Sequence, residues 1–235
     1  MPFSEHFGDH FFSRRDGRAE CVQVFLGGNG LPARFRDRSR FTIGELGFGS
    51  GLNFLETWRQ WIEVRAPGQQ LDFVSFEAFP MRADDIRRAI ATWPDLAVLC
   101  EALLAHWPPQ PGDTATWRLD AQTTLTVVVD DALAGVANWP GRADAWYLDG
   151  FAPSRNPAMW SAELMREVAA HTAPDGRFAT YTAAGWVRRN LFAAGFSVEK
   201  RPGHGGKREM MCGVLDRAGT RPLNGDSVQP GGVAP

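Results

Sequence analysis

One acid and three glycines stand at every second position in Glu45-Leu-Gly-Phe-Gly-Ser-Gly51, and that spacing has a chemical use. A glycine turn lets a ligand approach the backbone, because no side chain intervenes and unusual dihedrals are open. Other acids close apolar runs further along. Glu77 ends Leu71-Asp-Phe-Val-Ser-Phe76, Asp130 and Asp131 follow Leu125-Thr-Val-Val-Val129, and Asp149 ends Ala143-Asp-Ala-Trp-Tyr-Leu148. In an open α/β sheet, ligands sit beyond the carboxyl ends of the strands, which places Asp149 near such a ligand. The plain alternatives are a βα turn with no ligand, a loop acid at Glu77, and a helix cap at Asp131.

The elements that carry these residues read clearly around the glycines. Phe41, Thr42 and Ile43, followed by Leu46, form a buried strand. Leu52, Phe54, Leu55, Trp58 and Trp61 repeat at helical spacing, so the unit is strand, glycine turn and helix. A dinucleotide site wants G-x-G-x-x-G, but the third glycine position is Leu52, which argues against an NAD enzyme. The E-x-G-x-G-x-G spacing is similar to the first motif of S-adenosylmethionine (SAM) methyltransferases. There the acid before the glycines serves the cationic amino-acid end of the cofactor, a role that Glu45 suits. An acid ending the second strand takes ribose hydroxyls in a nucleotide-binding βαβ unit, which suits Glu77. An acid after the third strand can accept the adenine amino hydrogen; Asp131 is the first choice and Asp130 the second.

Residues 1–40 read as an N-terminal extension. In it Cys21-Val-Gln-Val-Phe-Leu26 is taken as a strand and Gly27-Gly-Asn-Gly30 as a turn, giving a small hairpin. Residues 41–215 form the main domain. Helices are expected at Met81–Ala91, Asp95–Trp107, Ala158–His171 and Trp186–Ala194. Thr116–Leu119 and Leu125–Val129 form strands around an Asp120 turn. Pro174-Asp-Gly176 is a turn, Arg177–Tyr181 a strand, and Phe196–Lys200 with Met210–Leu215 a final antiparallel pair. Beyond it, residues 216–235 are polar with repeated Gly and Pro and are expected to be disordered.

The chain has 235 residues, 44% of them hydrophobic and 22% charged, as in an ordinary soluble globular protein. No apolar run is long enough to span a bilayer, and Met1–His10 has no basic start before an apolar core, so no membrane anchor or signal peptide is expected. Cys21, Cys100 and Cys212 are far apart, and the five histidines show no metal-ligand spacing, so reduced thiols, a cytoplasmic location and no metal are expected. A net charge of −2 excludes a strongly basic nucleic-acid protein. Arginine clusters nonetheless stand at Arg14–Arg18, Arg34–Arg40 and Arg188–Arg208, either as solvated faces or as a phosphate-binding surface.

Several segments together carry a specific resemblance: Val24–Asn29, Glu45–Phe54, Phe76–Pro80, Trp146–Pro157, Thr180–Arg189 and Lys207–Gly213. The chain resembles the methyltransferase domain of MnmC and its stand-alone counterpart MnmD, over about Phe11–Leu215. The resemblance implies a Rossmann-like, class I SAM-dependent fold, with a mostly parallel sheet and an antiparallel final strand. It implies methylation of the aminomethyl group of a tRNA wobble uridine, giving 5-methylaminomethyl-2-thiouridine, with the anticodon loop as partner. It also implies Asp149 as the catalytic residue, and Glu45, Gly47, Gly49, Gly51, Asn53, Glu77 and Asp131 around the cofactor. Phe151, Pro153, Arg155, Asn156, Arg188, Arg189, Lys207 and Arg208 would meet the RNA. Longer members carry an FAD-dependent domain, which this chain is not expected to contain. Two rival readings are a methyltransferase for another amine and a non-catalytic SAM- or RNA-binding module.

Overall fold

The structure is a computed structural model that describes residues 3–4, 9–10, 16–108, 114–205 and 208–216. Residues 217–235 of the expected tail and Lys207 lie outside the described residues. Eight strands build one sheet: β1 (Arg40–Leu46), β2 (Gln70–Phe76), β3 (Thr114–Asp120), β4 (Thr123–Val128), β5 (Ala143–Leu148), β6 (Thr172–Thr180), β7 (Phe196–Pro202) and β8 (Glu209–Leu215). Their order across the sheet is β3-β4-β2-β1-β5-β6-β8-β7. The central strands β4, β2, β1, β5 and β6 are parallel. β3 at one edge and β8 with β7 at the other are antiparallel. The α/β fold read from the sequence is therefore present, with an antiparallel strand at both edges.

Each central strand is buried on both faces, so its side chains alternate between two cores. On one face, Phe41, Ile43, Phe73 and Tyr147 pack beneath helix α2 (Leu52–Val64), which supplies Phe54, Leu55, Trp58 and Trp61. On the other, Phe76, Trp146, Leu148 and Phe178 face helices that supply Val136, Leu164, Val168 and Leu191. Gly44 is required on that second face, since a Cβ there would stand 2.6 Å from the Trp146 ring on the neighbouring strand.

The N-terminal segment differs from the sequence reading. Cys21–Leu26 is not a strand but a π-helical continuation of a short helix, α1 (Gly17–Glu20), whose N-cap Asp16 accepts from the Ala19 N–H. Cys21, Val24, Phe25, Gly28 and Asn29 are buried, while Val22, Gln23 and Gly27 are exposed, a period near that of a helix rather than a strand. The described antiparallel ladder in this region pairs Phe3–Ser4 with Asp9–His10 instead. Fixed in place, the helix closes the α2 face of the sheet. Gly28 lies against Ala179 and Met210, and Asn29 donates to the Trp146 carbonyl. Arg18 binds Glu56 of α2 at 2.7 Å and forks onto Asp95 at 2.8 and 2.7 Å.

Smaller differences lie at element ends. The expected Asp95–Trp107 helix is a 3-10 turn, Pro94–Leu96, leading into α-helix Ala97–Leu104. Ser161 caps a helix at Ala162–Ala170, so Ala158–Trp160 stays in a separate 3-10 turn. Pro174–Gly176 lies within β6, where the register against β5 shifts.

Candidate active site

The register of three strands sets the polar floor of the site. Glu45 of β1 lies opposite Ser75 of β2 on one side and Tyr147 of β5 on the other. All three share the face covered by α2. On that helix Asn53 and Thr57 are one turn apart and point the same way. Thr57 meets the Tyr147 hydroxyl at 3.1 Å, and Asn53 donates to Glu45 Oε1 at 3.1 Å. Ser75 Oγ donates to Glu45 Oε2 at 2.7 Å. Glu45 is fully buried. Burial pushes its carboxyl well above the usual range, and the neighbouring charges of Asp149 and Glu77 push the same way against the two hydrogen bonds.

The glycine turn follows β1. Gly47, Gly49 and Gly51 all have positive φ, at 86°, 53° and 72°. A Cβ on Gly47 would also stand 3.3 Å from the Asp149 carbonyl, so the turn runs close beside the end of β5. Phe48 points away into the core and stacks on Trp107 at 4.9 Å. Trp107 in turn donates to the Met81 carbonyl, tying the turn to the segment after β2. Glu77 holds both pieces of backbone, accepting from Gly49 N–H at 3.0 Å and Phe79 N–H at 2.8 Å.

Asp149 begins the loop after β5. Its Oδ1 accepts from its neighbour Gly150 N–H at 2.8 Å, and its Oδ2 accepts from Asn53 at 2.8 Å. The loop backbone is gripped from below. Tyr181, just past β6, donates to the Gly150 carbonyl at 2.6 Å, and the Trp160 indole donates to the Phe151 carbonyl at 3.1 Å. Asn190 in turn binds the Trp160 carbonyl. Arg155 and Asn156 turn back on the Ala152 carbonyl, which leaves Arg155 exposed and Phe151 and Pro153 half-buried.

Glu45, the glycines, Asn53, Glu77 and Asp149 are thus brought together at the carboxyl ends of β1, β2 and β5. This is where the chain order reverses about β1, the position at which open α/β sheets hold ligands. Asp131 fills the plainer role at its position: its Oδ1 caps helix Ala132–Asn138 through Leu133 and Ala134 N–H, while Asp130 accepts from Asp131 N–H.

The basic residues divide into two groups. Lys200 and Arg201 are engaged in ion pairs with Glu209 and Glu199. Arg155, Arg188, Arg189 and Arg208 pair with no acid among the described residues. Strand direction puts the loop bearing Arg155, the start of helix Gly185–Ala193 bearing Arg188 and Arg189, and the hairpin bearing Arg208 at the same end of the sheet as Asp149. Sequence reasoning missed Ser75, Tyr181 and Trp160. Ser75 and Tyr181 were signalled only by lying at the carboxyl ends of strands. Among the described residues no group of three or more His, Cys, Asp or Glu side chains could hold a metal ion, and no helix is long and apolar enough to cross a membrane.

Comparison with known proteins adds a family. A model described as S-adenosyl-L-methionine-dependent methyltransferase matches residues 94–216. The chain is 45% identical over 226 residues to the tRNA 5-methylaminomethyl-2-thiouridine biosynthesis bifunctional protein MnmC of Caulobacter vibrioides, covering 95% of this chain and 38% of that one. It is 46% identical over 218 residues to the MnmC of Pseudomonas aeruginosa strain UCBPP-PA14, covering 91% of this chain and 33% of the relative. The chain therefore spans between a third and two-fifths of the length of these curated relatives. The structure of MnmC2 from Aquifex aeolicus superposes with a TM-score of 0.75 at 22% identity, covering 94% of this chain and 68% of that one, a likeness of fold. These relatives bear out the resemblance carried by Glu45–Phe54 and Trp146–Pro157.

Proposed function

This chain belongs to the S-adenosyl-L-methionine-dependent methyltransferase family, and from that premise we propose that it methylates the aminomethyl group of a tRNA wobble uridine. The product is 5-methylaminomethyl-2-thiouridine. The observation that carries the reading is the acidic cleft: Glu45, Glu77 and Asp149 converge at the switch point, and the charges acting on Glu45 are those of other acids. Such a cleft favours cationic partners. An alkylammonium acceptor and the ammonium end of SAM are both cationic.

The cofactor suits the residues present, and it supplies an electrophilic methyl group. Gly47, Gly49 and Gly51 leave room for its amino-acid end, and Glu45 lies below that turn at the end of β1. Glu77 takes the ribose hydroxyls, beside the two backbone N–H groups it holds. Asp131 uses only Oδ1 in its cap, which leaves Oδ2 for the adenine amino group. Asp149 accepts an N–H of the acceptor amine, favours the loss of one proton and aims the lone pair. Phe151 and Pro153 shape the slot and exclude water. Much of the acceleration comes from such positioning. A wobble base must leave its stack to reach this depth, as bases do in other enzymes that modify them. Arg155 and Asn156 hold the base edge or a neighbouring phosphate, and Arg188, Arg189, Lys207 and Arg208 grip the anticodon stem. A tRNA substrate places the protein in the cytoplasm.

The test is methyl transfer from labelled SAM to tRNA from cells lacking the modification, with nucleoside mass analysis, beside free alkylamines of the same chain length. A new methylaminomethyl uridine, with free amines inert, supports the reading. Labelled free amines with unlabelled tRNA would replace it with a small-amine methyltransferase. SAM binding without transfer to either would replace it with a binding module.

A further inference from the structure

The two halves of the cleft meet at one side chain. Asn53 stands on the first turn of α2, nearly buried, and both protons of its amide are committed: one to Glu45 Oε1 at 3.1 Å and one to Asp149 Oδ2 at 2.8 Å. We propose that Asn53 is a positioning residue for the acceptor side of the reaction, holding the Asp149 carboxylate ionised and in one orientation by donating to it and to Glu45 at once. The inference rests on the amine-methylation reading and deepens it.

With both carboxylates ionised, the chemistry allows no other arrangement of this amide. A group between two carboxylates must donate to both, and only the NH2 end of asparagine carries two donors. Turned over, its oxygen would face two anions. The rest of the Asp149 loop is already fixed, by Gly150 N–H on Oδ1, by Tyr181 on the Gly150 carbonyl and by Trp160 on the Phe151 carbonyl. The Asn53 bond adds a direct restraint on Oδ2, and so on the rotation of the carboxylate about the side-chain axis.

The surroundings explain why a donor pair is needed here. The titratable groups around the two acids are Glu77 at the end of β2, Cys21 on the N-terminal helix, Tyr147 on β5 and Tyr181 beyond β6. Glu56, paired with Arg18, stands further along α2. When charged, the nearest of these are anions, and burial already drives Glu45 toward its protonated form. Two interacting acids titrate as a pair, and repulsion between them favours uptake of a shared proton. The Asn53 amide opposes that uptake on both sides. A third carboxyl in its place would require a proton to be held among the three.

The test compares the pH dependence of kcat/KM for the tRNA acceptor in the wild type, Asn53→Asp and Asn53→Ser, with SAM affinity measured alongside. Asn53→Asp is expected to lose at least about tenfold at pH 7, with the acid limb moved up by about one pH unit, while SAM affinity stays within about threefold. Asn53→Ser keeps a single short donor and should show a smaller shift in the same direction; it carries the test if the aspartate variant does not fold. Weaker SAM binding with an unmoved pH profile would make Asn53 a cofactor ligand only. A lowered melting temperature with both readouts unmoved would make it structural only. If the wild type methylates no tRNA, the acceptor reading fails by itself. Asn53 is then read from proton uptake on SAM binding, by calorimetry in two buffers of different ionisation enthalpy. Different uptake in wild type and Asn53→Asp supports the fork; equal uptake overturns it.

Discussion

Two buried glutamates, eleven positions apart, one beneath helix α2 and one on it, have opposite electrostatics. Glu45 and Glu56 are both fully buried. Glu56 is surrounded by donors: Arg18 at 2.7 Å, Arg59 at 2.7 and 3.1 Å, and Gln60 at 2.8 Å. Burial alone would raise its carboxyl, but those hydrogen bonds and the Arg18 and Arg59 charges outweigh it and hold it below the usual range. Glu45 has two neutral donors, Ser75 and Asn53, and its charged neighbours are acids. The difference separates a fastener from a site. Glu56 is neutralised inside the protein and joins the N-terminal helix to α2. At Glu45 the charged neighbours add to burial instead of opposing it, and the proposed function has that imbalance met by a cation from outside.

The largest effect should come from the reactive side of that contrast. Asp149→Ala is expected to lower kcat by about 100-fold or more, the scale of a lost proton acceptor, with the fold and SAM binding kept. Survival of full activity in a single-turnover assay would remove Asp149 from the chemistry. Next is the fastener. Glu56→Ala should cost about 2 kcal/mol in a urea titration, below the 3–5 kcal/mol of a wholly buried pair because Arg18 and Arg59 reach solvent. It should leave SAM affinity unchanged, and a loss of SAM binding equal to its loss of stability would erase the distinction. Glu45→Gln should do the reverse, weakening SAM binding about tenfold, or about 1.4 kcal/mol, with little loss of stability. The smallest effect is at the rim. Arg189→Ala should weaken tRNA binding about threefold and lower the salt slope by about one, without touching SAM binding. An equal loss of both affinities would contradict a phosphate-binding rim.

Much of this architecture is legible in the sequence where one pattern dominates. The glycine turn between Leu46 and Leu52, the strands ending in Glu77 and Asp149, and the Asp120 hairpin each combine an apolar run with a turn that admits few conformations. The Cys21–Leu26 run misleads because Val22, Val24 and Phe25 favour strands, and β-propensity yields to packing. Its burial at Cys21, Val24, Phe25 and Gly28 follows a helix, and the Asp16 cap was the available sign. The positions of candidate site residues were legible when a motif fixed them to a strand end. Asp131 shows the limit, since an acid before a helix reads equally as ligand or cap. Lys200 shows another, since a basic cluster in sequence says nothing about the acid across the hairpin, Glu209, that neutralises it. The Asn53 link between Glu45 and Asp149 depends on strand register, which the sequence does not state.

The central claim, that Glu45 and Glu56 differ in sign, is tested most directly by unfolding free energy against pH for the wild type, Glu45→Gln and Glu56→Gln. A carboxyl raised in the folded state stabilises below its unfolded value of about 4.3, and that contribution fades as pH rises toward the folded value. A carboxyl lowered in the folded state stabilises above about 4.3, and that contribution fades as pH falls. The account predicts that Glu45→Gln gains on the wild type as pH climbs from 4 to 8, and that the deficit of Glu56→Gln shrinks as pH drops from 5 to 3. Two variants whose differences from the wild type change in the same direction with pH would contradict it.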